Sequence, residues 1–295
     1  MYGNSVLRFC ILACILGSPV TAYCADVQLV ANVGFENGDF PEGWEFGSQH
    51  GGTGTIVLDP SGEVPGSTKG YRATYPVASG GVYTWLVLNI GSYQTRDVAI
   101  DFWAKMPSDV KHGLKFLKVF GKSSPEGGYA NATLGLDFTG IDNGSMFNVG
   151  YGDGTELSND AQNIIRFDGS TREYYGRSFG TATVDTPQMK PFASSDWGTS
   201  WHHFKFRVKF NSGTSTANEI ADGEFFVSID DKIYVDAKNI FNRNPANDNI
   251  RSVEFGGWSQ SGEAPFEVWY DSIVVTINGF YDQPQTPLNV TKAIE

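Results

Sequence analysis

Four short runs toward the end of the chain decide what it can fold into. They are Trp201-His-His-Phe-Lys-Phe-Arg-Val-Lys-Phe210, Gly223-Glu-Phe-Phe-Val-Ser-Ile-Asp-Asp-Lys-Ile-Tyr-Val235, Ile250-Arg-Ser-Val-Glu-Phe-Gly-Gly-Trp258 and Phe266-Glu-Val-Trp-Tyr-Asp-Ser-Ile-Val-Val-Thr-Ile277. Each alternates polar with apolar or is largely apolar, and Gly, Asn, Asp or Pro bounds each. That pattern belongs to strands of an all-β, two-sheet antiparallel sandwich. Further strands are expected at Tyr71–Tyr75, Tyr83–Ile90, Val98–Met106, Leu114–Phe120 and Ala132–Phe138, with a Gly/Thr turn over Gly51–Thr55. Weaker periodicity from Gly140 to Ser195 suggests short strands joined by long loops, where binding sites commonly sit. No linker or repeat divides the chain. The expected organisation is a leader at 1–25, one jelly-roll domain at 26–280 and a polar, Pro-containing tail at 281–295.

The leader expectation rests on Arg8, followed by the apolar run Phe9-Cys-Ile-Leu-Ala-Cys-Ile-Leu16 and the small residues after it. The run is too short to cross a bilayer as a helix and fits a secretory signal peptide. Cys10, Cys14 and Cys24 all lie in or beside it, so the exported protein folds without an internal disulfide. About 270 remaining residues are enough to bury a core unaided.

The formal net charge is −12, and Arg8 is the only charge before Asp26. This balance opposes nucleic-acid binding, which needs a positive field. It does not oppose an acidic polysaccharide, because a local basic row can sit on an acidic protein. Such a row exists. With a period of two, His202, Phe204, Phe206, Val208 and Phe210 share one face, and Trp201, His203, Lys205, Arg207 and Lys209 share the other. The phenylalanines take the core side. A second basic-aromatic cluster, Arg166, Arg172, Tyr174, Tyr175 and Arg177, falls in the loop-rich middle, where aromatic faces stack on sugars and Arg forks onto carboxylates. Other chemistries lack their signatures. There is no His-Glu-x-x-His, no Gly-x-Ser-x-Gly, no phosphate loop and no Glu-x-Asp-x-x-Glu run. The adjacent His202 and His203 point to opposite faces and do not chelate one metal together.

The order of elements resembles the concanavalin-A-like lectin/glucanase jelly roll. Within it, the chain is most similar to the polysaccharide lyases of the alginate-lyase and heparin-lyase type. The residues that carry this are Phe102-Trp-Ala-Lys-Met-Pro107, His112-Gly-Leu-Lys-Phe-Leu-Lys-Val-Phe-Gly121, the Trp201 strand, Gly223-Glu-Phe-Phe-Val-Ser-Ile-Asp-Asp231, Phe255-Gly-Gly-Trp258 and Tyr270-Asp-Ser-Ile-Val-Val275. The resemblance implies a site Lys at about Lys115 and a site Tyr at about Tyr151. Where the family has a polar pair with Arg on the next strand, this chain has Asn131 and Thr133. Locally, Asn32-Val-Gly-Phe-Glu-Asn-Gly with Trp44 resembles the first strand of carbohydrate-binding modules. That likeness implies a structural calcium ion held by Glu36 and Asp271.

β-Elimination needs a group to neutralise the uronate, a base for the C5 proton and an acid for the leaving oxygen. Asn131 or Arg207 suits the first role; His203, Lys115 and Tyr151 suit the proton transfers. The leading expectation is a secreted protein that binds a glycan in a groove on one sheet, with Trp201, Lys205, Arg207, Arg172, Tyr175 and Arg177 as contacts. The alternatives are a uronate-cleaving lyase using Lys115, Asn131, Tyr151 and His203, and a non-catalytic structural or surface-interaction role. The lyase alternative requires its four side chains on one face. Lys115 and Lys118 are expected on opposite faces of their strand.

Overall fold

The computed structural model describes residues 27–59, 61–77, 80–105, 114–121, 130–137, 146–151, 163–167, 172–174, 200–210, 212, 220, 222–240, 249–259 and 265–280. The leader at 1–25, the tail at 281–295, Tyr175 and Arg177 lie outside these residues. For β8 to β11 below, the description is of strand pairing.

The strands are β1 (Gln28–Val33), β2 (Trp44–Gln49), β3 (Thr53–Leu58), β4 (Lys69–Tyr75), β5 (Val82–Asn89), β6 (Asp97–Lys105), β7 (Leu114–Phe120) and β8 (Ala130–Asp137). They continue as β9 (Met146–Tyr151), β10 (Asn163–Phe167), β11 (Arg172–Tyr174), β12 (His202–Lys209), β13 (Gly223–Ile229), β14 (Lys232–Ile240), β15 (Ser252–Ser259) and β16 (Phe266–Ile277). They form two antiparallel eight-stranded sheets. Sheet A runs β14-β13-β12-β6-β16-β4-β3, with β1 also on β16, and sheet B runs β11-β10-β9-β8-β7-β15-β5-β2. The chain is a jelly-roll β-sandwich.

The expected alternation builds the core. On β12, Phe204, Phe206 and Val208 are buried, and on neighbouring β6 so are Val98, Ile100, Phe102 and Ala104. Phe102 stacks on Phe204 at 5.1 Å and meets Phe255 of the opposite sheet edge-on at 5.3 Å. Each buried Phe contributes roughly 2 kcal/mol of apolar transfer. Two tyrosines tie the sheets with their polar ends. Tyr270 Oη donates to the Phe116 carbonyl (2.9 Å), and Tyr75 Oη to the Thr84 carbonyl (3.2 Å). Both hydroxyls are buried, so each needs that acceptor.

Turn chemistry sets the registers. Asp230 and Asp231 adopt φ of 50° and 60° between paired Ile229 and Lys232, a two-residue connection whose twist matches the strands. The Gly/Thr turn is shorter than expected. His50 (φ 56°) and Gly51 (φ 86°) make the bend, and Thr53-Gly-Thr-Ile-Val-Leu58 is already β3, because its β-branched residues favour a strand.

β16 changes partner midway. Residues 266–270 pair with β4 and residues 273–277 with β1, while β6 runs along its other side. A bulge between Asp271 and Val274, with Ser272 at φ 47°, marks the junction.

Candidate functional site

The basic row lies on the outer face of sheet A, as its alternation requires. Neighbouring strands supply its counter-charges, because Lys205 stands opposite Asp101 and Lys209 opposite Asp97 on β6. Arg207 grips Asp97 with two hydrogen bonds (Nε 2.9 Å, Nη2 2.6 Å) and reaches Glu224 at 3.2 Å. The bond to Asp97 raises the guanidinium's pKa further. Lys209 also pairs with Glu224, at 3.2 Å. His203 Nε2 lies 2.6 Å from Asp101 Oδ1, and its ring stacks on Trp103 at 5.0 Å. The expected array of cations for an acidic sugar is therefore largely neutralised within the sheet. Trp201 is only 5% exposed, its indole N–H donates to Asp59 at 2.5 Å and its backbone N–H to Glu63. It offers no open ring to a glycan.

Lys115, Asn131 and Tyr151 fall on β7, β8 and β9, three consecutive strands of sheet B. His203 is on sheet A and pairs with Asp101 on the outer side of the sandwich. The four residues required of a lyase do not share a face. The arrangement within sheet B also differs from simple alternation. A bulge between Lys115 and Leu117 puts Phe116 and Leu117 together in the core, which removes the period-two argument for setting Lys115 and Lys118 on opposite faces. In register, Lys118 stands opposite Thr133, and Thr133 opposite Gly150, the residue before Tyr151. Lys115 stands opposite Gly135, which faces Asn148. Lys118 is thus the nearer of the two lysines to the Tyr151 position, about two strand spacings or ~10 Å away. Asn131 falls at the register shift opposite Val119 and Phe120. Arg172 is on the edge strand β11, opposite Phe167.

Sequence reasoning passed over three features of this sheet. Lys118 forms an ion pair with Glu254 of β15, and both are buried (7% and 2% exposed) on the side away from the core residues Val119, Val253 and Phe255. Gly257 makes room for them, since a Cβ there would press on both charged groups. Next to β15, β5 turns Tyr83 and Trp85 to the same outer side, with core residues Val82, Leu86 and Leu88 opposite. The signal was present in Val82-Tyr-Thr-Trp-Leu-Val-Leu-Asn89, whose odd positions lead with two aromatics.

Glu36 and Asp271 come together at the β16 junction through Ser67. Glu36 accepts from the Ser67 hydroxyl (2.6 Å), the Thr68 hydroxyl (2.6 Å) and N–H (2.7 Å), and the Lys69 N–H (3.1 Å). Partial burial works to raise its pKa, but these donors hold it down to about 2. Asp271 is pushed the other way. Burial raises it most, hydrogen bonds from Ser67 and Ser272 oppose that, and the charges of Glu36 and Asp59 add to the rise, to about 7. Among the described residues, no group of three or more acidic, His or Cys side chains is disposed to hold a metal ion. The oxygens available at the junction are the two carboxylates, the Ser67 hydroxyl and the Glu36 carbonyl, which takes the Lys69 ammonium at 2.7 Å. These are hard donors of the type calcium accepts, fewer than the six to eight it prefers.

No sequence family matches the chain, and no curated protein matches it. Solved structures do. An endo-β-1,4-glucuronan lyase from the fungus Trichoderma reesei superposes with a TM-score of 0.54 at 16% identity, over 81% of this chain and 93% of that one. The two proteins share a fold. An alginate lyase from a Chlorella virus (TM-score 0.48, 12% identity) aligns over 80% of this chain and 93% of its own. The alginate lyase Aly36B (0.40, 17%) aligns over 70% and 80%. The jelly-roll β-sandwich shared with the glucuronan lyase is the architecture on which the site is built. No helix among the described residues is long and apolar enough to cross a membrane.

Proposed function

We propose that this protein binds a polysaccharide chain laid across the outer face of sheet B. One observation carries the reading. That face carries Tyr83 and Trp85 side by side, next to the buried Lys118–Glu254 pair, whereas on the outer face of sheet A Trp201 is buried and Trp103 is stacked on His203. A sugar polymer needs flat apolar surface for its rings and a few polar groups to fix them, and sheet B combines the two. Export through the leader is part of the proposal. The test is affinity electrophoresis of the mature protein in gels containing alginate, glucuronan, pectate or neutral glucans. Retardation by at least one polymer, lost on Lys118→Ala or Trp85→Ala, supports it. Equal mobility in all gels refutes it.

A second reading, elimination on a uronate chain, is favoured by the strand order. β7, β8 and β9 carry lysines, Asn131 with Thr133, and Tyr151 on successive strands. Lysine supplies positive charge against the uronate, and one tyrosine serves both transfers: as phenolate it takes the C5 proton, and as phenol it gives a proton to the leaving oxygen as the C4–O bond breaks. Ultraviolet absorbance from an unsaturated product tests this, with Tyr151→Phe expected to abolish it. A calcium ion at Glu36 and Asp271 belongs to the same proposal as a structural element. It would supply positive charge where two carboxylates meet, and no chemical step depends on it.

A further inference from the structure

Trp85 lies on the outer face of sheet B at its open edge, where β5 pairs with the edge strand β2 and Gly47 stands directly opposite. The indole lies so close over Gly47 that a Cβ there would collide with ring atoms Cζ2, Cε2 and Nε1. Gly47 is not among the glycines with positive φ, so no turn requires it; the ring occupies the space its side chain would take. One side of the indole therefore rests on the strand, and the residue as a whole is half-buried. Tyr83 stands beside it at 88°, with centroids 6.3 Å apart, a wall next to a floor. The His50 ring flanks Tyr83 at 6.4 Å, and Gln49 is opposite Tyr83 in register.

The other tryptophans whose side chains are described have their rings engaged. Trp44 packs on Phe255 at 5.8 Å, and Trp103 stacks on His203. Lys105 and Arg72 sit over the Trp269 ring at 4.6 and 5.7 Å, and Trp201 is buried. Among the described residues, Trp85 has only the edge-on Tyr83 as a ring neighbour and no cation over its face.

We infer that Trp85, floored by Gly47 and walled by Tyr83, is a stacking subsite for one pyranose ring of a glycan. The inference rests on the reading of sheet B as the glycan face and extends the groove to its β2 edge. A pyranose has an apolar C–H face and a rim of hydroxyls. The C–H face covers the exposed part of the indole, and Gln49 and His50 offer hydrogen-bonding groups at the rim. No charge takes part in the stack, so the subsite accepts neutral and uronate rings alike.

The experiment is affinity electrophoresis against the same polymers, with tryptophan fluorescence titrated by their oligosaccharides. Trp85→Ala should weaken binding about tenfold, the scale of one well-packed aromatic contact. Trp85→Tyr should keep most of it. Gly47→Val, which leaves the indole present but lifts it off the strand, should weaken binding as Trp85→Ala does, and Trp103→Ala on the opposite sheet should not. Circular dichroism confirms folding; if Trp85→Ala does not fold, Gly47→Val and Trp85→Phe decide. Wild-type affinity in Trp85→Ala and Gly47→Val, with loss in Lys118→Ala, overturns the subsite and leaves the sheet B reading standing. No retention of any polymer by the wild type overturns both.

Discussion

In chelator-treated protein, replacing Asp271 with Asn should raise stability at neutral and alkaline pH and flatten the pH profile. The carboxyl is 1% exposed and stands near Glu36 and Asp59, with its pKa pushed from 3.8 up to about 7. Below about pH 4 the group is neutral in both folded and unfolded chains and costs nothing. Between about pH 4 and 7 the unfolded chain releases the proton and the folded one keeps it, so stability falls by ~1.4 kcal/mol per pH unit. Above 7 the loss is complete, about 4 kcal/mol as an upper bound, and relaxation around the junction makes ~2 kcal/mol a realistic reading. Glu36 moves oppositely. Its lowered pKa stabilises above about 4.5 and is lost toward 2, so it adds no slope in the Asp271 window. Asn keeps the acceptor for the Ser272 N–H (2.6 Å) and removes the charge. Urea unfolding of both proteins at several pH values from 3 to 8.5 gives the answer. Asn should gain roughly 2 kcal/mol at the alkaline end and nothing at the acid end. A variant that keeps the wild-type slope, or is destabilised at every pH, would refute the reasoning.

Lys118→Ala should cost about 3 kcal/mol, because it strands the buried Glu254 charge, and Lys118→Ala/Glu254→Gln should recover much of it in thermal melts. Arg207→Ala should lower stability by only ~1 kcal/mol and leave polysaccharide retardation unchanged, since Arg207 is spent on Asp97 and Glu224. Calcium added to chelator-treated protein should raise the melting temperature of the wild type at neutral pH and not that of Asp271→Asn; equal responses would remove calcium from the junction. Glu36→Gln should destabilise by about 1–2 kcal/mol above pH 5, through weaker acceptance from four donors around Ser67 to Lys69.

The strands were legible because burial on one side leaves a period-two trace, and the β12 faces came out as that trace predicts. Two things were not legible. Register decides what stands beside what, and nothing in Trp201–Phe210 says that Asp97, Asp101 and Glu224 arrive opposite its cations. Bulges also break the parity argument. The irregularity at Phe116 put two successive residues in the core and changed which lysine lies nearer Tyr151. Glu36 and Asp271 were joined on the neighbourhood of first and last strands, and β1 does pair with β16. Trp85 went unnoticed for a different reason. An aromatic in a strand ordinarily reads as core, and although the alternation with Leu86 and Leu88 marks the other side, the glycine that makes room for the ring is invisible until strands are paired.

The pairing of β1 with β16 has a consequence for synthesis and folding. Gln28 meets Ile277, almost the full length of the domain apart, and β6 lacks its central neighbour until β16 exists. Sheet A cannot close while the chain is emerging from a ribosome, because its keystone is made last. Folding is dominated by distant contacts and is correspondingly slow.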